Sequence, residues 1–507
     1  SCSCDREKKE RGNEVLRDSN GGGNMDLIFH KGSPGRKGSS IPNSDVSKKT
    51  SLPKNLLRKD KAELPETSEL QTIRHFTLLS RKNIGLDSAF YPLGSCTMKY
   101  NPKFHETICG IPEFQELHPL LPQLRHGGAL TQGALAVIYE TERMLSEILG
   151  FSQCTMQPLA GAHGELTGVM IIAAYHADRK DSKRKVMLIP DSAHGTNPAS
   201  AAMAGFSTKT VKSASDGCID IEELKTLLND TVAGLMITCP NTLGLFDRRF
   251  AEACELVHKA GGLVYCDGAN LNALIGKLRP GDLGVDVMHV NLHKTFSSPH
   301  GGGGPGSGPV GVAEKLVPYL PISRVDKRDD GTYSLKYDFP KSIGYIAPFY
   351  GNFGVILRAY AYLLTVGGDG LEKISLYAIL NANYVRQKLK ASYYLPYDRM
   401  CMHECVFSGE KFLDKGIHAV DIAKALIDKG YHPPTICFPL IVKEALMIEP
   451  TETETKEELD KFIDVMIEIS RKASEEPERI KECPLSTPVG RIDEITAARK
   501  PFTACIQ

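Results

Sequence analysis

Over residues 1–60 the chain shows almost no hydrophobic periodicity; the stretch is rich in Ser, Gly, Lys and Asn and includes Gly21 to Gly23. Such a segment cannot bury enough apolar surface to offset its ordering entropy, so it reads as a flexible arm. Regular patterning begins near residue 129. Ala134, Val137, Ile138, Leu145, Ile148 and Leu149 fall at helical spacing, with Gly150 at the C′ position. Short apolar runs then alternate with helical patterns. Strands are predicted at Lys185–Ile189, Ala233–Cys239, Gly262–Cys266, Val285–Val290 and Val310–Val312. Helices are predicted at Ile221–Leu228, with Asp220 as N-cap and Glu223 completing a capping box, and at Phe250–Lys259. Strands apolar throughout, alternating with helices, predict a mostly parallel sheet covered on both faces.

Beyond a glycine-dense stretch at 301–308, Tyr350–Val366 and Ile374–Leu389 read as long helices. Strand-like Met402–Phe407, helix-like Ala419–Asp428, strand-like Pro434–Phe438 and Ala445–Ile448, and a helix from Lys456 form a smaller α/β unit. The expected organisation is an arm (1–60), an N-terminal segment with a partner-contact loop (61–128), a large domain (129–345), and connecting helices with a small C-terminal domain (346–507). Met25 opens a more regular stretch, so residues 1–24 are expected to be an upstream segment.

The 61 basic residues balance the 61 acidic ones, which removes the basic field that nonspecific nucleic-acid binding needs. No apolar run approaches membrane-spanning length. Small molecules and other proteins are therefore the expected partners, not nucleic acid or membrane. Residues 1–60 carry 13 basic and 8 acidic side chains and residues 443–507 carry 10 and 15, while the middle balances at 38 each. The 14 cysteines are dispersed without CxxC pairs, which fits a reducing compartment, the cytoplasm. Cys401-Met-His403-Glu-Cys405 has metal-like spacing, but in a strand it points all three side chains to one face, so a core face is expected and no metal.

Candidate chemistry concentrates in the middle. Asp267 ends one apolar run and Lys294 follows another, so in an open parallel sheet both emerge at strand carboxyl ends, where ligands bind. The pair suits pyridoxal phosphate, with Lys294 as Schiff-base lysine and Asp267 keeping the pyridine nitrogen protonated. Taken alone, the pair is better read as a surface lysine and a strand-end aspartate. In Gln157-Pro-Leu-Ala-Gly161-Ala162-His163-Gly164-Glu165, small residues open a helix whose amides can receive a phosphate, and the His163 ring could stack on the pyridine. In Asp191-Ser-Ala-His194-Gly195-Thr196-Asn197-Pro198, His194 could shuttle protons or contact the cofactor, and Thr196 and Asn197 could equally be helix caps. The loop from His300 to Gly308 lacks the closing Lys-Ser/Thr of a nucleotide P-loop.

Together with Tyr91-Pro-Leu-Gly-Ser-Cys-Thr-Met-Lys99-Tyr-Asn-Pro-Lys103, Asp267-Gly-Ala269-Asn-Leu-Asn272 and Asn291-Leu-His293-Lys294-Thr-Phe, these strings resemble the glycine-cleavage-system P-protein family, in the form split between two polypeptides, from about residue 25 onward. The resemblance implies the aspartate-aminotransferase-like fold, with Lys294 as the cofactor lysine and acid–base group, Asp267 at the pyridine nitrogen and His163 stacked on the ring; Gly161, Ala162, Ala269 and His293 complete the expected cofactor set, and His194 is the second catalytic candidate. It also implies the reaction: glycine displaces Lys294, loses CO2, and its aminomethyl group passes to the lipoyl disulfide of the H-protein. A companion subunit 1 would complete the enzyme, with the T-protein and dihydrolipoyl dehydrogenase downstream. The segment around Lys99, turn-rich and exposed-looking, is expected to be a docking or active-site loop. Two alternatives remain: another pyridoxal-phosphate lyase of this fold, or a cofactor-free scaffold subunit. A cysteine desulfurase would need a cysteine within residues 295–330, and there is none.

Overall fold

The structure, a computed structural model, describes residues 27–39, 45–46, 52–60, 62, 64–124, 127–300, 306–487 and 489–501. Most of the expected arm, residues 1–24 included, and most of the glycine-dense loop lie outside these. Seven strands form the main sheet: β1 (Gln153–Thr155), β2 (Val186–Pro190), β3 (Ser207–Val211), β4 (Val232–Thr238), β5 (Leu263–Gly268), β6 (Val287–Val290) and β7 (Val310–Val312), in the order β1-β7-β6-β5-β4-β2-β3. Neighbours from β3 through β6 are parallel, and β7 runs against both β6 and β1.

Alternate residues of the central strands feed two cores. Leu235, Val264 and Met288 pack with the helices Gln132–Leu149 and Phe250–Lys259, whereas Met236, Tyr265 and Val287 pack with the helix Gly161–Asp178. Glycine lets that last helix sit close to the sheet, because a Cβ at Gly168 would lie 2.6 Å from the Tyr265 ring. A hairpin of β8 (Arg324–Lys327) and β9 (Tyr333–Lys336) follows. The smaller lobe contains the antiparallel strands β10 (Cys405–Ser408), β11 (Thr435–Ile436) and β12 (Ala445–Ile448), with its own core covered by the helices Ala419–Asp428 and Lys456–Glu475.

Several local expectations change. The two long helices expected after the glycine-dense stretch are both present within Phe353–Leu389, separated by a kink at Gly367, whose φ of 65° and ψ of 176° are non-helical. Asp220 caps its helix through the amides of Glu222 and Glu223, but the Glu223 carboxylate takes the amide of Lys212, so no capping box forms. β10 begins only at Cys405, so strand alternation does not extend back to Cys401 and His403. Both cysteines do join the small-lobe core, while His403 faces two buried carboxylates. No helix among the described residues is long and apolar enough to cross a membrane.

Candidate active site

The parallel register puts Thr238, Asp267 and His289 side by side in one row across the carboxyl ends of β4, β5 and β6. They open onto a cavity of about 320 Å³, also lined by Ser95, Cys96, Gly161, Ala162, His194, Ala269, Asn291, His293, Lys294 and His300. Asp267 is buried; its Oδ1 accepts from the Ala269 amide (2.9 Å) and its Oδ2 from Asn197 Nδ2 (3.1 Å). Burial alone would raise its pKa, but His289, 3.6 Å away, those two donors and Lys294 outweigh it and hold the carboxyl below its ordinary range. Tyr265, kept protonated by burial, lies 2.5 Å from His289 Nδ1, and His289 Nε2 lies 3.0 Å from Asn291 Oδ1.

A second layer comes from the helix Gly161–Asp178. Its Glu165 accepts from Thr196 Oγ1 (2.7 Å) and Asn197 Nδ2 (2.9 Å), so the Asn197 amide bridges Glu165 and Asp267. Thr196 and Asn197 therefore do not cap the helix Thr196–Met203 with their side chains. At Gly161 a Cβ would fall 2.3 Å from Asn291 Nδ2, so the helix N-terminus reaches the cavity floor only as glycine.

Lys294 Nζ donates to the Ser95 carbonyl at 2.5 Å, and its flanking histidines are neutral: burial pushes His293 down to about 3 and His300 to about 4, helped by neighbouring positive groups. Among the described residues Lys294 is the only lysine or arginine lining the cavity.

Relatives match along nearly the whole chain. A protein of Caldanaerobacter subterraneus subsp. tengcongensis is 56% identical over 94% of this chain and 97% of its own length; one of Listeria monocytogenes serotype 4a (strain HCC23) is 53% identical over 94% and 97%. Both carry the name "Probable glycine dehydrogenase (decarboxylating) subunit 2". This chain belongs to that subunit 2 family.

Family models agree: "Glycine dehydrogenase, C-terminal domain" matches residues 374–484 and "Aminotransferase class-V" residues 164–303. Among solved structures, a glycine decarboxylase (P-protein) of the glycine cleavage system in inhibitor-bound form superposes with a TM-score of 0.68 at 20% identity, covering 82% of this chain and 93% of that one. A cysteine desulfurase from Thermococcus onnurineus NA1 reaches 0.57 at 16%, covering 77% and 97%. The fold is thus that of the pyridoxal-phosphate enzymes.

The structure separates the two candidate histidines and corrects the expected exposure of Lys99. His163 does not line the cavity; its Nδ1 accepts from the Leu159 amide at 3.2 Å, one turn back along the chain. His194 does line it, with its Nδ1 3.0 Å from Thr196 Oγ1 and its ring edge against Phe438 of the small lobe. Lys99 is not exposed. It is fully buried, with Nζ 2.7 Å from Glu452, 2.9 Å from Asn272 Oδ1 and 3.2 Å from the Tyr362 hydroxyl. The loop it anchors roofs the cavity. Sequence reading also passed over Thr238, His289 and Glu165 as site residues. For the first two the available signal was position at a strand's carboxyl end beside Asp267.

Proposed function

We propose that this chain is the cofactor-bearing subunit of a two-polypeptide glycine decarboxylase, which releases CO2 from glycine and passes the remaining aminomethyl group to the lipoyl group of a carrier protein. The observation that carries this reading is the convergence of Asp267 and Lys294 on one cavity whose floor is a helix N-terminus. The residues fit pyridoxal phosphate. Among the described residues no group partners the buried Thr238 Oγ1, and none takes the amides of the first turn of the helix Gly161–Asp178, which can receive a phosphate. When bound, the cofactor supplies an electron sink for the carbon that loses CO2.

The remaining work falls to the protein's own side chains. Lys294 would hold the cofactor covalently and, once displaced by the substrate's amine, serve as acid and base beside the reacting carbon. Asp267, fixed by Ala269 and Asn197, would keep the ring nitrogen positively charged. Ala162 and Gly161 would bring backbone amides to the phosphate. His293 and His300, neutral at pH 7, can exchange hydrogen bonds without adding charge next to Lys294. With no arginine lining the cavity among the described residues, recognition of the substrate carboxylate is assigned to the companion subunit.

Glycine–CO2 exchange tests the reading. The chain with companion subunit 1 and lipoylated carrier protein is expected to exchange label at least 100 times faster than the chain with carrier alone. Equal rates from the isolated chain, or none from the complete mixture, would remove it.

The ring-face role goes to His194 in place of His163. Aromatic pairs contribute about 0.5–1.5 kcal/mol, so His194→Ala is expected to weaken cofactor binding by up to about tenfold. His163→Ala should change it by less than about threefold, both measured by absorbance titration of the cofactor-free chain. The reverse ranking would restore His163.

A further inference from the structure

The roof of the cavity, Gly94 to Lys99, holds a conformation that its own residues disfavour. Ser95 and Thr97 both have left-handed backbone, with φ of 62° and 46°, which residues bearing a side chain adopt only when surrounding structure imposes it. Two carboxylates buried beneath the roof impose it. Ser95 N donates to Glu404 Oε2 at 2.9 Å. Thr97 N donates to Glu449 Oε2 at 3.0 Å, and Thr97 Oγ1 to Glu449 Oε1 at 2.5 Å. Glu404 immediately precedes β10 and Glu449 immediately follows β12, so both fasteners belong to the small lobe.

The placement of these bonds matters more than their number. The two anchored amides belong to the peptide groups on either side of the Ser95–Cys96 peptide, and the carbonyl of that middle peptide accepts from Lys294 Nζ at 2.5 Å. Pinning both neighbours leaves the carbonyl one orientation, aimed at the amine. Around it the roof is tied to both lobes: Thr435 Oγ1 donates to the Gly94 carbonyl at 2.8 Å, and Asn101 Nδ2 to the Ser297 carbonyl at 3.1 Å. His403 completes the buried cluster, its Nε2 3.8 Å from Glu404 and 4.0 Å from Glu449. The three groups have metal-ligand character, their donor atoms lying within 4.8 Å of one another, but Glu449 already spends both of its oxygens on the roof and Glu404 one of its two.

We propose, resting on the function above, that Glu404 and Glu449 are positioning residues: through the amides of Ser95 and Thr97 they hold the Ser95 carbonyl against the Lys294 amine and so set how fast glycine exchanges with Lys294. Neither carboxylate lines the cavity, so they act through the roof. The effect is sizeable because a misplacement of about 1 Å at a reacting group costs roughly 100-fold in rate.

The test uses the full enzyme with companion subunit, carrier protein and bound pyridoxal phosphate, in the variants Glu404→Met, Glu449→Met and Thr97→Val, the methionines matching the glutamates in length while removing the acceptors. The last leaves both carboxylates in place and removes one bond. The rate of the glycine-induced change in cofactor absorbance is expected to fall at least tenfold in the two methionine variants and several-fold in Thr97→Val, with Thr97→Ser restoring it. Cofactor affinity and the KM for glycine should stay within threefold. In the cofactor-free chain, amide exchange at Ser95 to Thr97 should quicken in the same order. Wild-type displacement rates in all three variants would overturn the proposal, as would losses that track only melting temperature or cofactor occupancy. A wild-type enzyme that lets glycine displace Lys294 yet exchanges no CO2 would remove the proposed function while leaving this positioning role supported.

Discussion

Lys294→Ala is expected to abolish turnover, lowering glycine–CO2 exchange by more than about 10,000-fold, since it deletes both the covalent tether and an acid–base group whose class alone contributes about 100- to 10,000-fold. The absorbance band of lysine-bound cofactor, and its trapping by borohydride, should vanish with it. Cofactor should still bind, more weakly, because the Asp267 row and the helix Gly161–Asp178 are untouched. The local fold should survive as well: Lys294 is only partly buried, and among the described residues the one hydrogen bond of its side chain is to the Ser95 carbonyl. A variant that retained the reducible band would move the attachment point to another amine, and one that retained turnover would sink the assignment altogether.

Lys99→Ala is expected to be the most destabilising single change at the site. Its ammonium is buried and shared by Glu452, Asn272 and Tyr362, three groups from the small lobe, the strand-end turn after Asp267 and the connecting helix. Burial pushes the lysine pKa down, but Glu452 and Tyr362 more than reverse this, so the residue is charged in the folded chain. Removing one partner of a buried pair costs about 3–5 kcal/mol, because the other charge is left without compensation. The midpoint of denaturant unfolding should fall accordingly. The double variant Lys99→Met with Glu452→Met should recover much of the loss, since a matched apolar pair no longer strands a carboxylate. A midpoint unchanged by Lys99→Ala would mean that water compensates Glu452 in place of the lysine.

The uneven distribution of what was legible in the chain has a physical basis. The β7 strand, the helix Phe250–Lys259 and the helix Ala419–Asp428 coincide with their sequence expectations, because each is marked by local signals: apolar run length, 3.6-residue spacing or a capping residue. Asp267 and Lys294 were legible for a related reason, since a polar residue ending an apolar run marks the carboxyl end of a strand. His163 and His194 were not separable on the same grounds. Each sits in a small-residue turn beside a strand or helix end, and only three-dimensional packing turns one ring back to the Leu159 amide and leaves the other on the cavity wall.

Lys99 shows the limit most sharply. Among turn formers a lysine reads as solvent-exposed, because burying an unpaired ammonium is prohibitive; its partners Asn272, Tyr362 and Glu452 lie 173, 263 and 353 residues away along the chain. The same holds for Glu404 and Glu449 beneath the roof, whose contacts with Ser95 and Thr97 span 309 and 352 residues. Local sequence thus determined the central strands β2, β4, β5, β6 and β7, though not β1 or β3, and the two groups most suited to pyridoxal-phosphate chemistry, because apolar run length and strand ends are short-range properties. Tertiary structure alone decided which histidine lines the cavity, why a lysine can be buried and what aims the Ser95 carbonyl at Lys294, because pairing of buried charges depends on groups that folding brings together from distant parts of the chain.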